Sequence, residues 1–153
     1  MKTVSIDMLG DIFAQALADI VEKVSGFSFG VTSAKDDTNF DECVALMSLN
    51  SDKGGILFVS AQEASLRVLC SYMVGMPEDE IGKGDIEDVL CELVNMTAGN
   101  AKLYLKDTEY MFSLSLPFVI SGTGLSIAAK KRATVISRTL GNGEVSVKLK
   151  VVY

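Results

Sequence analysis

The second half of this chain carries four residues that could act together at one chemical site. They follow the pattern Asp-x3-Glu-x2-Asn-x21-Pro: Asp88, Glu92, Asn95 and Pro117. In a helix, at about 100° per residue, Glu92 and Asn95 lie within about 40° of Asp88, so the three side chains share one stripe. The opposite side of such a helix carries Ile86, Val89, Leu90, Leu93, Val94 and Thr97. The pattern predicts an amphipathic helix that presents two acids and an amide outward.

The chemistry open to this stripe is limited because the sequence contains no histidine. The side chain that most readily exchanges protons near neutral pH is missing, and a Ser–His or Cys–His nucleophile cannot be assembled. The amide of Asn95 needs no titration, since its carbonyl accepts and its NH2 donates, so it can orient a water while staying neutral. A carboxylate about 4 Å from a phosphoryl oxygen would instead repel it by roughly 4 kcal/mol, and a barrier raised by this amount slows attack about a thousandfold. The stripe is therefore suited to positioning water for phosphoryl transfer.

The pattern and its surroundings resemble the CheC/CheX/FliY family of chemotaxis phosphatases. The family motif is Asp or Ser, x3, Glu, x2, Asn, x21, Pro, and every position is matched here. The flanking residues 92–102 and 114–117 are also similar to the family beyond the motif letters. The resemblance covers nearly the whole chain, is strongest over residues 85–122 and is weak over the first fifty residues.

The resemblance implies a substrate and a role for each motif residue. The substrate would be the aspartyl phosphate of a phosphorylated CheY-type receiver domain, which brings its own Mg²⁺, so no metal or other cofactor is expected on this chain. Asn95 would position the hydrolytic water, and Glu92 would pair with the receiver lysine that contacts the phosphoryl oxygens. Asp88 would add to the receiver contact surface. Pro117 is expected to be structural, because proline in a sheet belongs at an edge or at the start of a strand.

Two other interpretations of the stripe stay open. A polar stripe opposite an apolar one is the usual solvated face of a packed helix, so the chain could be a structural domain without a site. The same fold could also serve as a non-catalytic module that binds a receiver or a component of the flagellar switch. The intact amide of Asn95 favours hydrolysis over binding alone.

Composition indicates one acidic domain that acts in the cytoplasm. The 153 residues are a usual size for one domain, residues 1–153. The formal net charge of −6 disfavours nucleic acid or an anionic membrane as a partner. No apolar run is long enough to span a membrane, and Asp7 and Asp11 interrupt the N-terminus where a signal peptide would be apolar.

The cysteines are expected to be free thiols. Their number is odd, none forms a CxxC pair, and no histidine accompanies them: Cys43, Cys70 and Cys91. A disulfide or metal site is therefore not expected. Cys91 falls between the polar and apolar faces of the motif helix.

Periodicity and capping signals predict an α/β (α+β) fold with a mainly antiparallel sheet and helices packed against it. The order is helix, three strands, helix, then helix, three strands. Helices are predicted over residues 5–25, ended by Gly26, over 60–74, capped by Ser60 and ended by Gly75, and from residue 85. Strands are predicted over residues 27–34, 43–49, 56–59, 111–121, 133–140 and 145–153, with a hairpin turn at 141–143.

The element order predicts a pseudo-symmetric repeat of one helix plus three strands. Residues 17–26 align with residues 90–99 without gaps. In this register Asp19 replaces Glu92, and Glu22 replaces Asn95. Val44 stands where the proline would be. A charge in place of the amide leaves the first half without a site, so the chain resembles the single-site CheX class.

A homodimer is also expected. The family resemblance implies it, and the sequence adds one indirect argument. The last predicted strand, residues 145–153, alternates apolar residues and is followed by no element that could cover its edge. Pairing with a second copy would cover that edge.

Overall fold

The computed structural model of the protein describes residues 1–33, 38–130 and 132–153. Within these residues, three helices and six strands follow the predicted order. The helices are α1 (Ile6–Ser25), α2 (Glu63–Val74) and α3 (Lys83–Tyr104), with a 3-10 turn at Glu78–Glu80. The strands are β1 (Gly30–Ser33), β2 (Cys43–Ser48), β3 (Ile56–Ala61), β4 (Pro117–Ser121), β5 (Val135–Gly141) and β6 (Ser146–Val152). Residue 34, the last of the first predicted strand, lies outside the described residues.

The strands form one antiparallel sheet in the order β1-β5-β6-β3-β2-β4. The strands of the two halves correspond as β1 to β4, β2 to β5 and β3 to β6. Exchanging every strand for its counterpart gives the same strand order, read from the opposite edge of the sheet. The two central strands, β3 and β6, are then counterparts, and so are the two edge strands, β1 and β4. This topology confirms the predicted α/β fold and its repeat. The pairing of strands does not fix the register between α1 and α3, so the alignment of Glu22 with Asn95 remains a prediction.

The helices pack on one face of the sheet and enclose the core. α3 packs against α1 and α2 and against strands β2, β3 and β4. The apolar face predicted for α3 is buried at every position: Ile86, Val89, Leu90, Leu93, Val94 and Thr97. Full burial of one such aliphatic side chain contributes about 1.5–3 kcal/mol. This packing fixes the rotation of α3 and so points its polar stripe outward.

α1 approaches the sheet closely at Gly10. A Cβ atom at this position would lie 2.6 Å from Nη2 of Arg138 and 2.6 Å from Cγ2 of Ile136. The Arg138 side chain is buried and cannot move away freely, because its Nε donates to Asp11 at 3.3 Å and its Nη1 donates to the Ser137 carbonyl at 3.0 Å. Only glycine fits this contact without displacement.

Two predicted helix ends are confirmed, and one predicted start is wrong. α1 ends at Gly26 (φ 79°) and α2 ends at Gly75 (φ 71°), both in the left-handed conformation that favours glycine. Ser60 does not cap α2, because it lies inside β3, where it pairs with Val44 and Lys148 of the neighbouring strands. The first N–H of α2, at Glu63, is satisfied from a distant element, since it donates to Glu42 Oε1 at 2.9 Å.

Two predictions for the second half are also corrected. The strand predicted over 111–121 begins only at Pro117, because the buried side chains of Tyr110 and Phe112 hold the preceding segment out of the sheet. The last strand, β6, is not at an edge, since it pairs with both β5 and β3. The edge argument for a homodimer is therefore wrong. The edges of the described sheet are β1 and β4.

Candidate functional site

The polar stripe of α3 is exposed and its side chains are uncommitted. Asp88 and Glu92 are exposed, and Asn95 is half-buried. In the part of the chain that the structure describes, these side chains make no hydrogen bond or ion pair. The other acids of this helix differ, because Asp85 accepts from the Gly82 N–H at 2.9 Å and Glu87 lies 3.8 Å from Lys83. The motif residues are thus available to an outside partner.

All four motif residues meet in one open groove of 490 Å³ between α3 and the chain that enters β4. The groove is lined by Asp88, Cys91, Glu92, Asn95, Ser115, Leu116 and Pro117. Helix and strand come together here because α3 packs against β2 and β4. The structure therefore places the four residues of the motif at a single site.

Pro117 is the first residue of β4, at the edge of the sheet, opposite Met47 of β2. The expected location of the proline, at an edge and a strand start, is the observed one. The residues before it are anchored: Ser115 Oγ donates to the Ser48 carbonyl at 2.7 Å, and Ser113 and Asn50 exchange backbone hydrogen bonds of 2.9 and 3.1 Å. One wall of the groove is therefore held to the loop after β2.

The groove is acidic. Its lining residues, within the described ranges, include two carboxylates and no lysine or arginine. A free phosphate would be repelled by Asp88 and Glu92, at roughly 4 kcal/mol for a pair about 4 Å apart at an effective dielectric of 20. The described residues also contain no group of His, Cys, Asp and Glu side chains that could hold a metal ion. The groove thus suits a partner that supplies positive charge beside the neutral amide of Asn95.

The three cysteines are free, as expected. Burial raises the pKa of each thiol, and nearby carboxylates raise it further: Glu42 for Cys43, Asp85 for Cys70 and Asp88 for Cys91. The thiols are therefore protonated near neutral pH and are poor nucleophiles. Cys91 nevertheless lines the groove.

The other wall of the groove was not predicted from the sequence. Ser115 and Leu116 line it beside the motif. The signals for them were their place directly before Pro117 and the resemblance of residues 114–117 to the family, which assigned them no role. A second cavity, of 310 Å³, lies between the start of α3 and the end of β4, where Cys43, Ile86 and Val119 contribute to its walls. Among the described residues, it shares no lining residue with the groove and contains none of the motif residues.

No helix among the described residues is long and apolar enough to cross a membrane.

Comparison with known proteins places the chain among chemotaxis proteins. A sequence profile described as "Chemotaxis phosphatase CheX" matches residues 43–140. No curated protein matches the sequence. The fold is similar to a CheC-like superfamily protein from Shewanella sp. PV-4, with a TM-score of 0.81 and 21% identity over 97% of this chain and 98% of that one.

Two further solved structures are similar at the level of the fold. The chemotaxis protein CheX from Vibrio vulnificus has a TM-score of 0.79 and 18% identity, over 94% of this chain and 97% of that one. A chain of the CheX–CheY–BeF3–Mg²⁺ complex from Borrelia burgdorferi has a TM-score of 0.75 and 14% identity, over 93% of this chain and 96% of that one.

Proposed function

Because this chain belongs to the CheX family of chemotaxis phosphatases, we propose that it hydrolyses the aspartyl phosphate of a CheY-type receiver domain. The observation that carries the proposal is the uncommitted amide of Asn95 in an acidic groove that also holds Asp88, Glu92 and Pro117. A neutral group that both donates and accepts is what a water needs for orientation beside a phosphoryl group. The Borrelia relative, solved with CheY, BeF3 and Mg²⁺, supports a receiver as the partner.

Asn95 is the proposed catalytic residue. Its carbonyl accepts a hydrogen bond from the attacking water, and its NH2 donates to the same water or to a phosphoryl oxygen. The water oxygen bonds to phosphorus as the bond to the aspartyl oxygen breaks, which yields a free aspartate and inorganic phosphate. Mg²⁺ held by the receiver neutralises charge on the phosphoryl oxygens, as in other phosphoryl transfers.

Glu92 is the proposed partner of the receiver lysine. Its side chain is exposed and makes no ion pair in the described part of this chain, so it can form one across the interface. A hydrogen bond between an ammonium and a carboxylate is about twice as strong as one between neutral groups. Asp88, one turn earlier on the stripe, adds negative charge to the same contact surface.

The acidity of the groove restricts the substrate. Asp88 and Glu92 repel a free phosphate ester, whereas a receiver brings a lysine and Mg²⁺ that offset this repulsion. We therefore expect hydrolysis of a receiver phosphate and little activity on small phosphate esters.

Homodimer formation remains a prediction that rests on the family resemblance, because β6 is not an edge strand. The edges that a second copy could pair with in the described sheet are β1 and β4. Light scattering tests this directly, since a monomer has a mass of 16.4 kDa.

The proposed reaction is tested by phosphate release. CheY-type receivers encoded in the same genome are phosphorylated with acetyl phosphate and Mg²⁺, and release is followed with and without a substoichiometric amount of this protein. Faster release from at least one receiver is expected, with many turnovers per copy. Binding without acceleration for every receiver would contradict hydrolysis and support the non-catalytic module.

A further inference from the structure

Leu116 is an apolar side chain that the proposed chemistry does not use and that the fold does not bury. It is 75% exposed, yet it lines the groove that holds Glu92 and Asn95. Its side chain therefore lies beside the position where a phosphoryl group must enter.

The backbone on both sides of Leu116 is held in place. Ser115 is bonded through its hydroxyl to the Ser48 carbonyl at 2.7 Å, and Pro117 is paired with Met47 in the sheet. A residue before proline is also restricted to extended conformations. The exposure of Leu116 is thus fixed by its neighbours, so a partner that binds it has little conformational entropy to remove.

We propose that Leu116 is a docking contact for the receiver domain, which supplies apolar affinity beside the charged contact of Glu92. The inference rests on the proposed function and names a further residue of the same site. A receiver whose phosphorylated aspartate reaches Asn95 must contact the wall of the groove that Leu116 forms. The matching receiver surface would present a cation opposite Glu92 and an apolar patch opposite Leu116. An apolar contact surrounded by polar groups is the usual arrangement of a protein interface, whose rim is more polar than its buried core.

The test compares Leu116→Ala with a matched control, Leu103→Ala. Leu103 is 74% exposed on α3 and lines a different groove together with Asp19 and Lys23. Both variants remove the same atoms from equally exposed positions, so neither should affect folding. For Leu116→Ala we expect KM for the phosphorylated receiver to rise about tenfold with kcat unchanged, as for the loss of a uniform binding contact. Leu103→Ala should match the wild type, and Leu116→Met should restore most of the affinity.

A binding measurement separates this inference from the proposed reaction. The probe is the receiver loaded with beryllofluoride and Mg²⁺, a stable mimic of the phosphoaspartate, and its affinity is measured by fluorescence anisotropy. About tenfold weaker binding by Leu116→Ala alone supports the docking contact. Wild-type affinity and KM in Leu116→Ala, an effect on kcat alone, or equal losses in both variants would overturn it.

The two proposals fail in different ways. If the wild-type protein binds the loaded receiver but does not hydrolyse its phosphate, the proposed reaction is wrong, and the affinity of Leu116→Ala still decides the docking contact. If the wild-type protein binds none of the receivers, both proposals are overturned.

Discussion

Asn95 near the middle of α3 and Pro117 at the first position of β4 line the same groove, although a long irregular segment separates them in the chain. Two anchors bring them together: the backbone pair of Ser113 with Asn50, and the hydroxyl of Ser115 on the Ser48 carbonyl. The residues of the motif, although distant in sequence, therefore lie together in space, and the proline is part of the groove wall opposite the amide.

Glu92→Ala should weaken both binding and hydrolysis. The variant loses the carboxylate proposed to pair with the receiver lysine, and a hydrogen bond to a charged group contributes about 1.5–3 kcal/mol. Affinity for the receiver loaded with beryllofluoride should fall about tenfold to a hundredfold, and the fall should shrink as salt is raised. Glu144→Ala is a matched control, since Glu144 is exposed in the β5–β6 turn. A loss in the control as large as that in Glu92→Ala would contradict the assigned role.

The first half of the repeat should be dispensable for hydrolysis. In Asp19→Ala/Glu22→Ala we expect a rate within about twofold of the wild type, because neither residue lines the groove and substitutions at surface positions usually change free energies by less than about 0.5 kcal/mol. The only side-chain bond of Asp19 in the described structure is one of 2.8 Å from Gln15. Glu92→Ala/Asn95→Ala, measured in parallel, should be nearly inactive. Equal losses in two folded double variants would show that the first half carries part of the site.

Cys91 should be unreactive at neutral pH and should block the groove once modified. Burial, followed by the charges of Asp88 and Glu87, raises the pKa of its thiol, so the reactive thiolate forms only at a higher pH than in free cysteine. Alkylation by iodoacetamide, followed by peptide mass spectrometry, should be slow at pH 7 and faster as the pH is raised toward 10. Alkylated protein should lose hydrolysis, because the added group enters the groove.

Cys91→Ala is the control for that measurement. It should hydrolyse the receiver phosphate and keep its activity after the same treatment, although Cys43 and Cys70 remain. Inactivation of Cys91→Ala by iodoacetamide would assign the effect to another cysteine.

Gly10→Ala should destabilise the protein, whereas Gly99→Ala should not. At Gly10 the new methyl group meets Arg138 and Ile136 at 2.6 Å, and overpacking costs about 1–3 kcal/mol, which exceeds the gain in helix propensity. At Gly99, inside α3, no atom of the described residues lies within 4 Å of the new atom, apart from the neighbouring residues and the backbone of the helix itself, so alanine should add about 0.5–1 kcal/mol of stability. Urea unfolding of both variants shows whether each substitution raises or lowers the free energy of unfolding. A stabilised Gly10→Ala would show that α1 can shift away from β5.

Features set by local periodicity could be predicted from the sequence. The buried and exposed faces of α3 follow from the spacing of its apolar residues, and the ends of α1 and α2 follow from Gly26 and Gly75, which adopt the left-handed conformation. The β5–β6 hairpin likewise follows from its turn at residues 141–143. In each case, the deciding interaction lies within a few residues of the signal.

Features set by distant partners could not be predicted. Ser60 is a good cap by type, but β2 and β6 provide backbone partners that extend β3 through it. The last strand is central because β3 pairs with it from far along the chain. The groove wall at Leu116 depends on Ser48 at the end of β2 and on Asn50 in the loop after it, and neither carries a pattern related to the motif. These features depend on tertiary contacts, so no local signal in the sequence predicts them.

The role of Asn95 is tested most directly by the rate at which Asn95→Ala releases phosphate from a phosphorylated receiver. Because the half-buried amide is proposed to contact only the attacking water and a phosphoryl oxygen, and no residue of the receiver, the variant should fold as the wild type does by circular dichroism and should bind the beryllofluoride-loaded receiver with similar affinity. Its kcat should fall about a hundredfold, the size expected when a reacting group loses its position.

Two companion variants make the result specific. Asn95→Asp keeps the shape of the side chain but adds a negative charge beside the phosphoryl oxygens, so its kcat should fall about a thousandfold. Asn100→Ala removes the same amide from α3 outside the groove and should release phosphate at the wild-type rate. The expected order of rates is wild type equal to Asn100→Ala, then Asn95→Ala, then Asn95→Asp. A folded Asn95→Ala that releases phosphate as fast as the wild type would contradict it.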